Sequence, residues 1–176
     1  VAAYGLCMVT IAAWDYSAAF GIDWQSVGAM EAGKVLAGQA WRCLTALTLH
    51  VDLGHLMSNL VFGTLFGLIA GRIYGGGAAW LAIVLGGGPG NLANACLREP
   101  THWSIGSSTA VFSALGLIVY DAIHSGWSER ETIIRRWSPL VGGLVLFAFT
   151  GLGSERTDVV AHATGLGAGL MLGWIM

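Results

Sequence analysis

Long apolar runs alternate with short polar segments along most of the chain, and this pattern predicts a bundle of membrane-spanning helices. A helix needs about 20 mostly apolar residues to cross a bilayer, and charge-poor runs bounded by charged or turn-forming residues mark six of them. The predicted spans are Val1–Ala19, Leu53–Tyr74, Gly76–Leu97, Ser108–Ile123, Pro139–Leu152 and Val159–Met176. We therefore expect an all-α, polytopic membrane protein in which residues 1–176 form a single domain.

The segment from Phe20 to Thr48 departs from this pattern, because charged side chains are scattered among its apolar residues. It is too polar to span and too apolar for a free linker, so we expect a long interfacial loop between the first and second spans. The apolar run that starts at Val1 has no basic segment before it, as a cleavable signal peptide would have. We treat this run as a true span and expect Val1 not to be the natural start.

The composition supports a membrane protein and argues against nucleic acid as a partner. The 176 residues are 55% hydrophobic and only 10% charged, and the mean hydropathy is +0.69, far from a soluble domain. The 27 glycines show no repeat and suit close packing of helices in a bilayer. A net charge of −2 without a basic cluster argues against nucleic-acid binding. The lipid bilayer is therefore the expected environment.

Polar residues stand at the starts of the second, fourth and sixth spans, which face the same side of the membrane in an unbroken six-span chain. "LHVDLGHLMSNL" supplies His50, His55 and Asn59, "GSST" supplies Ser108, and "DVVAHATGLGAG" supplies His162. Each residue taken alone is as readily a helix cap, a packing residue or an interhelical hydrogen-bonding group. Ionisable groups that converge inside a membrane are expensive and indicate a functional site.

Their chemistry fits hydrolysis by acyl transfer. A serine hydroxyl becomes a nucleophile when a neighbouring histidine takes its proton, so Ser108 would attack and His162 would carry the proton. The tetrahedral intermediate needs hydrogen-bond donors, each contributing on the order of 3 kcal/mol. A backbone N–H at the start of the fourth span, with the side chains of His55 and Asn59, would supply them.

Together these motifs resemble the rhomboid intramembrane serine proteases over about residues 41–173. The resemblance rests on "WR", "HVDLGHLMSN", "GSST" and "AHATGLGAG" in this order. It implies a six-helix bundle and a serine–histidine dyad without an acidic third member, with Ser108 as nucleophile and His162 as general base. The oxyanion hole would then comprise Ser108, His55 and Asn59. Further residues that it implies as supporting are His50, Gly106, Trp41, Arg42, Gly165 and Gly169.

Those supporting residues have expected roles. His50 matches a structural histidine behind the site, and Trp41 and Arg42 match the first loop, which dips into the membrane. The small-xxx-small pattern at Gly165 and Gly169 would press the sixth span against the fourth. The segment "GGGPGN" lacks the lysine of a phosphate loop and is interpreted as a closely packed helix.

Two positions depart from the family pattern. Thr109 follows the nucleophile where glycine is common, so it would narrow the space beside Ser108 or add a hydroxyl. Gly71 stands where many members carry a glutamate, which removes a structural tether without touching the dyad.

The resemblance implies an endopeptidase that cuts in or near the transmembrane helices of other membrane proteins, without a metal or other cofactor. We expect a multi-pass protein of a prokaryotic cytoplasmic membrane, with the site open on the side away from the cytoplasm. The fifth span, Pro139–Leu152, is our candidate for a gate that admits the substrate. The sequence leaves the oligomeric state open.

Two other function classes were weighed. A catalytically inactive rhomboid relative that binds and escorts membrane proteins would typically have lost the serine or the histidine, and this chain keeps both. A haem or metal protein would need His50, His55 and His162 aimed at one centre. His50 and His55 are five residues apart, which places them roughly 140° off a shared helical face.

Overall fold

The described part of the chain is dominated by five long helices. The computed structural model describes residues 1–125, 141–142 and 158–176. The long helices are α1 Ala2–Tyr16, α5 Leu53–Tyr74, α6 Gly76–Leu97, α7 Ser108–His124 and α8 Val159–Ile175. They occupy five of the six predicted spans. The remaining one, Pro139–Leu152, lies outside the described residues apart from 141 and 142, and the proposed gate lies there with it.

Among the described helices, α5 is the one that is both long and apolar enough to cross a membrane by length and composition. Helices α7 and α8 are shorter apolar helices of 17 residues each. Helix α6 has 22 residues and contains Pro89, which would ordinarily disrupt a helix interior. Four glycines surround this proline, and a methyl group added at any of them would collide with a neighbouring segment, at Ser113, Ala110, Leu44 or Thr109.

Aspartate caps start two of the helices that carry predicted site residues. The Asp52 side chain accepts a hydrogen bond from the His55 backbone N–H at 2.8 Å, at the start of α5. Asp158 accepts one from the Ala161 N–H at 3.2 Å, at the start of α8. An aspartate at this position satisfies an otherwise unpaired backbone donor of the first turn. Each cap therefore fixes where its helix begins, within one turn of a predicted site histidine.

The segment between α1 and α5 is folded, whereas the sequence analysis expected a loop. It contains the short helices α2 Trp24–Gly28, α3 Ala32–Leu36 and α4 Arg42–Thr45, and the strand β1 Met30–Glu31. Strand β1 pairs antiparallel with β2, Trp103–Ser104, just before α7. The sequence missed these elements because each is only two to five residues long and shows no full period of apolar residues.

Arg42 holds part of this segment together. The residue is buried, and its guanidinium donates to the carbonyl oxygens of Ser26 and Ala29 at 3.1 and 2.9 Å and to the Gln39 side chain at 2.6 Å. A buried charge needs such partners to offset its lost hydration. Trp41, its neighbour, is exposed. Arg42 thus stabilises the interior of the segment through hydrogen bonds, whereas the Trp41 side chain lies on its surface.

Glycines bring α7 into backbone contact with α8. A methyl group at Gly165 would meet the carbonyl oxygen of Thr109, and one at Gly169 would meet that of Ser113. From the opposite side, a methyl at Gly116 would meet the carbonyl oxygen of Leu166. Because no side chain separates the two helices at these points, residues at the start of α8 lie directly beside the start of α7.

Candidate active site

Ser108 is the first residue of α7 and is partly buried. The preceding turn depends on Gly106, whose φ of +127° is a conformation that other residues rarely adopt. The Gly106 N–H donates to the Ala46 carbonyl oxygen at 2.9 Å, which attaches the turn to the folded segment before α5. A methyl group at Gly106 would lie 2.6 Å from His55 Nε2. Gly106 therefore permits both the turn and the close approach of the imidazole.

His55 and Asn59 reach the same turn from α5. They are four residues apart and so share one face of the helix. A methyl at Gly106 would also lie 3.6 Å from Asn59 Nδ2. That amide nitrogen is buried and has no hydrogen-bond partner among the residues that the structure describes, although buried donors are almost always paired. The structure thus presents an imidazole and an unused amide donor to the turn that leads into Ser108.

His162 lies in the first turn of α8 and faces α7. Its ring stacks on Phe112 with centroids 4.3 Å apart and planes inclined by 15°. Phe112 is four residues beyond Ser108, so the imidazole packs on the same face of α7 as the hydroxyl, one turn further along. Within the described residues, no hydrogen bond joins Ser108 to His162, and Nδ1 of His162 is buried without a partner. Contacts between a nucleophile and its base often tighten only when substrate binds.

Asp158 collects hydrogen bonds from three residues at the end of α6 and in the loop that follows it. Its carboxylate accepts from Asn94 Nδ2 at 2.6 Å, from Arg98 Nη2 at 2.7 Å and contacts His102 Nε2 at 2.7 Å. Burial alone would raise the pKa of this carboxyl, but the hydrogen bonds from Arg98, His102 and Asn94 outweigh burial and lower the pKa well below its usual range. A charged Asp158 therefore ties the start of α8 to the end of α6.

His50 lies beside this site, outside the helix. Its ring meets the His55 ring edge-on, with centroids 5.2 Å apart. The sequence argument that placed these histidines about 140° apart was wrong, because α5 begins only at Leu53 and His50 precedes it. Burial, with a smaller contribution from His55, lowers the pKa of His50 to about 4. His50 is therefore neutral near pH 7 and packs against His55 as an uncharged ring.

Thr109, the residue after Ser108, is held by a buried hydrogen bond. Its hydroxyl donates to Asn91 Oδ1 at 2.8 Å, and Asn91 Nδ2 donates to the Cys43 carbonyl oxygen at 2.9 Å. Its methyl group fills the space beside Gly90 and Gly165, where an added methyl would lie 2.8 and 3.0 Å away. The side chain thus points into the junction of α6, α7 and α8 and leaves the nucleophile's side of the helix free.

Sequence reasoning missed several residues that shape this site: Tyr4, Asn94, Arg98, His102 and Phe112. Phe112 could have been found by counting one helical turn from Ser108. Asp158 was visible as a cap one turn before His162, but its partners come from a loop and a distant helix. No sequence pattern links Tyr4 to the site, because its contacts lie 55 and 103 residues away.

Metal-ligating side chains do not cluster in residues 1–125, 141–142 and 158–176. Among these, no group of three or more His, Cys, Asp and Glu side chains lies close enough to hold a metal ion.

The chain belongs to the rhomboid family, a family of multi-pass membrane proteins. The model of the rhomboid domain matches residues 37–176, which include every helix that contributes to the site except α1. This confirms the family that the motifs suggested.

Curated relatives include proteases and proteins named only by resemblance. The chain is 31% identical to Rhomboid-like protease 3 of Toxoplasma gondii over 83% of its own length and 55% of that protein. It is 29% identical to RHOMBOID-like protein 5 of Arabidopsis thaliana, over 86% of this chain and 49% of the relative. It is 28% identical to Rhomboid protease GluP of Bacillus subtilis, over 79% of this chain and 26% of the relative. The chain thus spans about half or less of these relatives, and their organisms are both prokaryotic and eukaryotic.

Proposed function

We propose that the chain is an intramembrane serine endopeptidase in which Ser108 is the nucleophile and His162 is the general base. Membership of the rhomboid family supports hydrolysis of membrane-protein substrates. The residue assignment is supported chiefly by the Gly106 turn, against which two side chains from another helix, His55 and Asn59, are packed. An unpaired buried amide is costly unless a ligand or intermediate uses it.

The proposed reaction proceeds in two steps. Ser108 Oγ attacks the scissile carbonyl carbon while a ring nitrogen of His162 takes its proton, and the carbonyl oxygen becomes an oxyanion. The Asn59 amide, the His55 ring and the Ser108 backbone N–H donate to that oxygen. The C–N bond then breaks, and the imidazolium returns the proton to the leaving amine. Water, deprotonated by His162, next hydrolyses the acyl-enzyme and restores the Ser108 hydroxyl.

The bilayer explains why the substrate has to deform. A peptide bond inside a helix has its carbonyl oxygen hydrogen-bonded and hidden, so cleavage requires local unwinding. We propose that substrates are transmembrane proteins whose helices unwind easily near the cut. We also propose a prokaryotic cytoplasmic membrane, in keeping with the similarity to the Bacillus protease, and a site that opens away from the cytoplasm, as the family resemblance implies.

A serine-directed fluorophosphonate probe tests this proposal on the full-length protein in detergent. We expect labelling of the wild type and none of Ser108→Ala or His162→Ala, because both lack an activated nucleophile. Ser104→Ala removes a nearby hydroxyl in β2 and is expected to label normally. Equal labelling of Ser108→Ala and the wild type would refute the assignment. A wild type that neither labels nor cleaves a transmembrane reporter in liposomes would favour the inactive binding class.

A further inference from the structure

Tyr4, on α1, makes two polar contacts with residues of the candidate active site. Its hydroxyl oxygen lies 2.8 Å from the Asn59 carbonyl oxygen and 3.1 Å from Ser107 Oγ. The phenol occupies a slot in α5, since a methyl group at Gly63 would collide with the hydroxyl. Its ring also packs on Trp80, with centroids 5.1 Å apart. Helix α1 thus delivers one hydroxyl to the place where α5 and the start of α7 meet.

The direction of these hydrogen bonds follows from the phenol having a single proton. The Asn59 carbonyl oxygen can only accept, so the Tyr4 hydroxyl donates to it. The Tyr4 oxygen must then accept the proton of Ser107 Oγ. Ser107 is only 1% exposed, so water does not readily replace Tyr4 as the acceptor. The three groups therefore form a directed chain from Ser107 through Tyr4 to Asn59.

Both ends of this chain lie next to a proposed oxyanion donor. Ser107 shares a peptide bond with Ser108, so holding its side chain orients the peptide that carries the Ser108 N–H. The Asn59 carbonyl belongs to the same residue whose amide nitrogen is buried and unpartnered. One hydroxyl thus connects two donors that come from different helices.

We propose that Tyr4 is a positioning residue, which holds the Ser107–Ser108 peptide and the Asn59 turn at the spacing that the oxyanion requires. This inference rests on the function proposed above and adds α1 to the catalytic apparatus. Tyr4 touches neither substrate nor the reacting atoms and acts through Ser107 and Asn59. Stabilisation of a developing charge depends on donors that are fixed before reaction, so Tyr4 should affect kcat more than KM.

The test compares Tyr4→Phe with Ser107→Ala and with the double variant, all in the full-length protein with a transmembrane reporter in liposomes. Phenylalanine keeps the ring contact with Trp80 and removes only the hydroxyl. We expect kcat to fall about three- to tenfold in each single variant, with KM within about twofold, which corresponds to the loss of one hydrogen bond. The double variant should be no more than about twofold slower than either single variant, because both changes break the same chain. Tyr16→Phe is the matched control, since Tyr16 is 97% exposed.

Several results would overturn the inference. An unchanged kcat for Tyr4→Phe would do so, as would a rise in KM with kcat preserved. Effects of the two single variants that multiply in the double variant would show that Tyr4 acts independently of Ser107. The labelling rate with a fluorophosphonate, which also forms an oxyanion, should fall by the same factor as kcat, and a normal rate would count against the proposal. A wild type without activity would remove the proposed function and this inference together, whereas an active wild type with an unchanged kcat in Tyr4→Phe would remove this inference alone.

Discussion

The Asp158 network gives a prediction that can be worked out from the structure. The perturbation is Asp158→Asn, which keeps the shape of the side chain and its ability to cap α8. It removes the negative charge and turns an NH2 group towards donors. Those donors are Asn94 and His102, which contact Oδ2 at 2.6 and 2.7 Å, whereas the oxygen that caps α8 still faces Arg98. The variant therefore loses its charge-assisted hydrogen bonds and gains donor–donor repulsion.

The expected loss in the free energy of unfolding is about 3 kcal/mol. A hydrogen bond to a charged group contributes roughly 1.5–3 kcal/mol, and the Asp158 side chain is only 12% exposed. The bonds from Asn94 and His102 are the ones lost, and about 1.5 kcal/mol for each gives this total. The bond from Arg98, whose side chain is 32% exposed, is screened by solvent and adds little to the loss. Glu99→Gln, a change to an exposed carboxylate in the adjoining loop, should cost less than about 0.5 kcal/mol.

The assay is SDS titration of the purified protein, followed by tryptophan fluorescence. The negative charge of Asp158 also predicts how the free energy of unfolding depends on pH. Because the folded-state pKa of Asp158 is lowered, its contribution is fully present above the ordinary carboxyl pKa, about 4, and is lost as pH falls below it. The difference in the free energy of unfolding between the wild type and Asp158→Asn should therefore disappear at acidic pH. If Asp158→Asn lost no more free energy of unfolding at pH 7 than Glu99→Gln, this account of the network would be refuted.

Three further predictions follow from contacts near Ser108. Thr109→Val should cost about 1–3 kcal/mol, measured by SDS titration, since it leaves Asn91 Oδ1 buried without a donor; a neutral effect would contradict the role given to Thr109. Gly165→Ala should reduce stability and the fluorophosphonate labelling rate severalfold, because its methyl meets the Thr109 carbonyl, while Gly167→Ala, with open space around it, should not. Because the pKa of His50 is lowered to about 4, stability should decline as pH falls from about 6.5 towards that value, and His50→Gln should flatten this decline in thermal unfolding.

The sequence predicted the long helices well because their signal is repeated over many residues. The bounds Leu53–Tyr74 and Gly76–Leu97 agree with the helices found. A span needs only a run of apolar residues, so composition within a window is sufficient to locate it. The segment between the first two spans was harder, because its folding depends on Arg42 and on a strand partner at Trp103, which are fixed by tertiary contacts.

For the candidate site too, local motifs could be predicted from the sequence, whereas tertiary contacts could not. Motif spacing predicted Ser108, His162, His55 and Asn59, since each lies near a helix start and topology alone brings those starts to one side; their catalytic roles stay a prediction. The sequence could not show what holds them in place. The hydroxyl of Tyr4 reaches the site only through the slot at Gly63, and such a fit depends on how two helices pack.

The stacking of His162 on Phe112 constrains the imidazole in one sense and frees it in another. A flat neighbour 4.3 Å away resists tilting of the ring, yet a half-turn about the Cβ–Cγ bond leaves the ring in the same plane. In serine proteases with a third, acidic member, a hydrogen bond to Nδ1 selects one orientation and one tautomer. Here Nδ1 has no partner among the described residues. Under the mechanism proposed above, the substrate's arrival at Ser108 would select between the two ring orientations, so the substrate itself would complete the arrangement of the site.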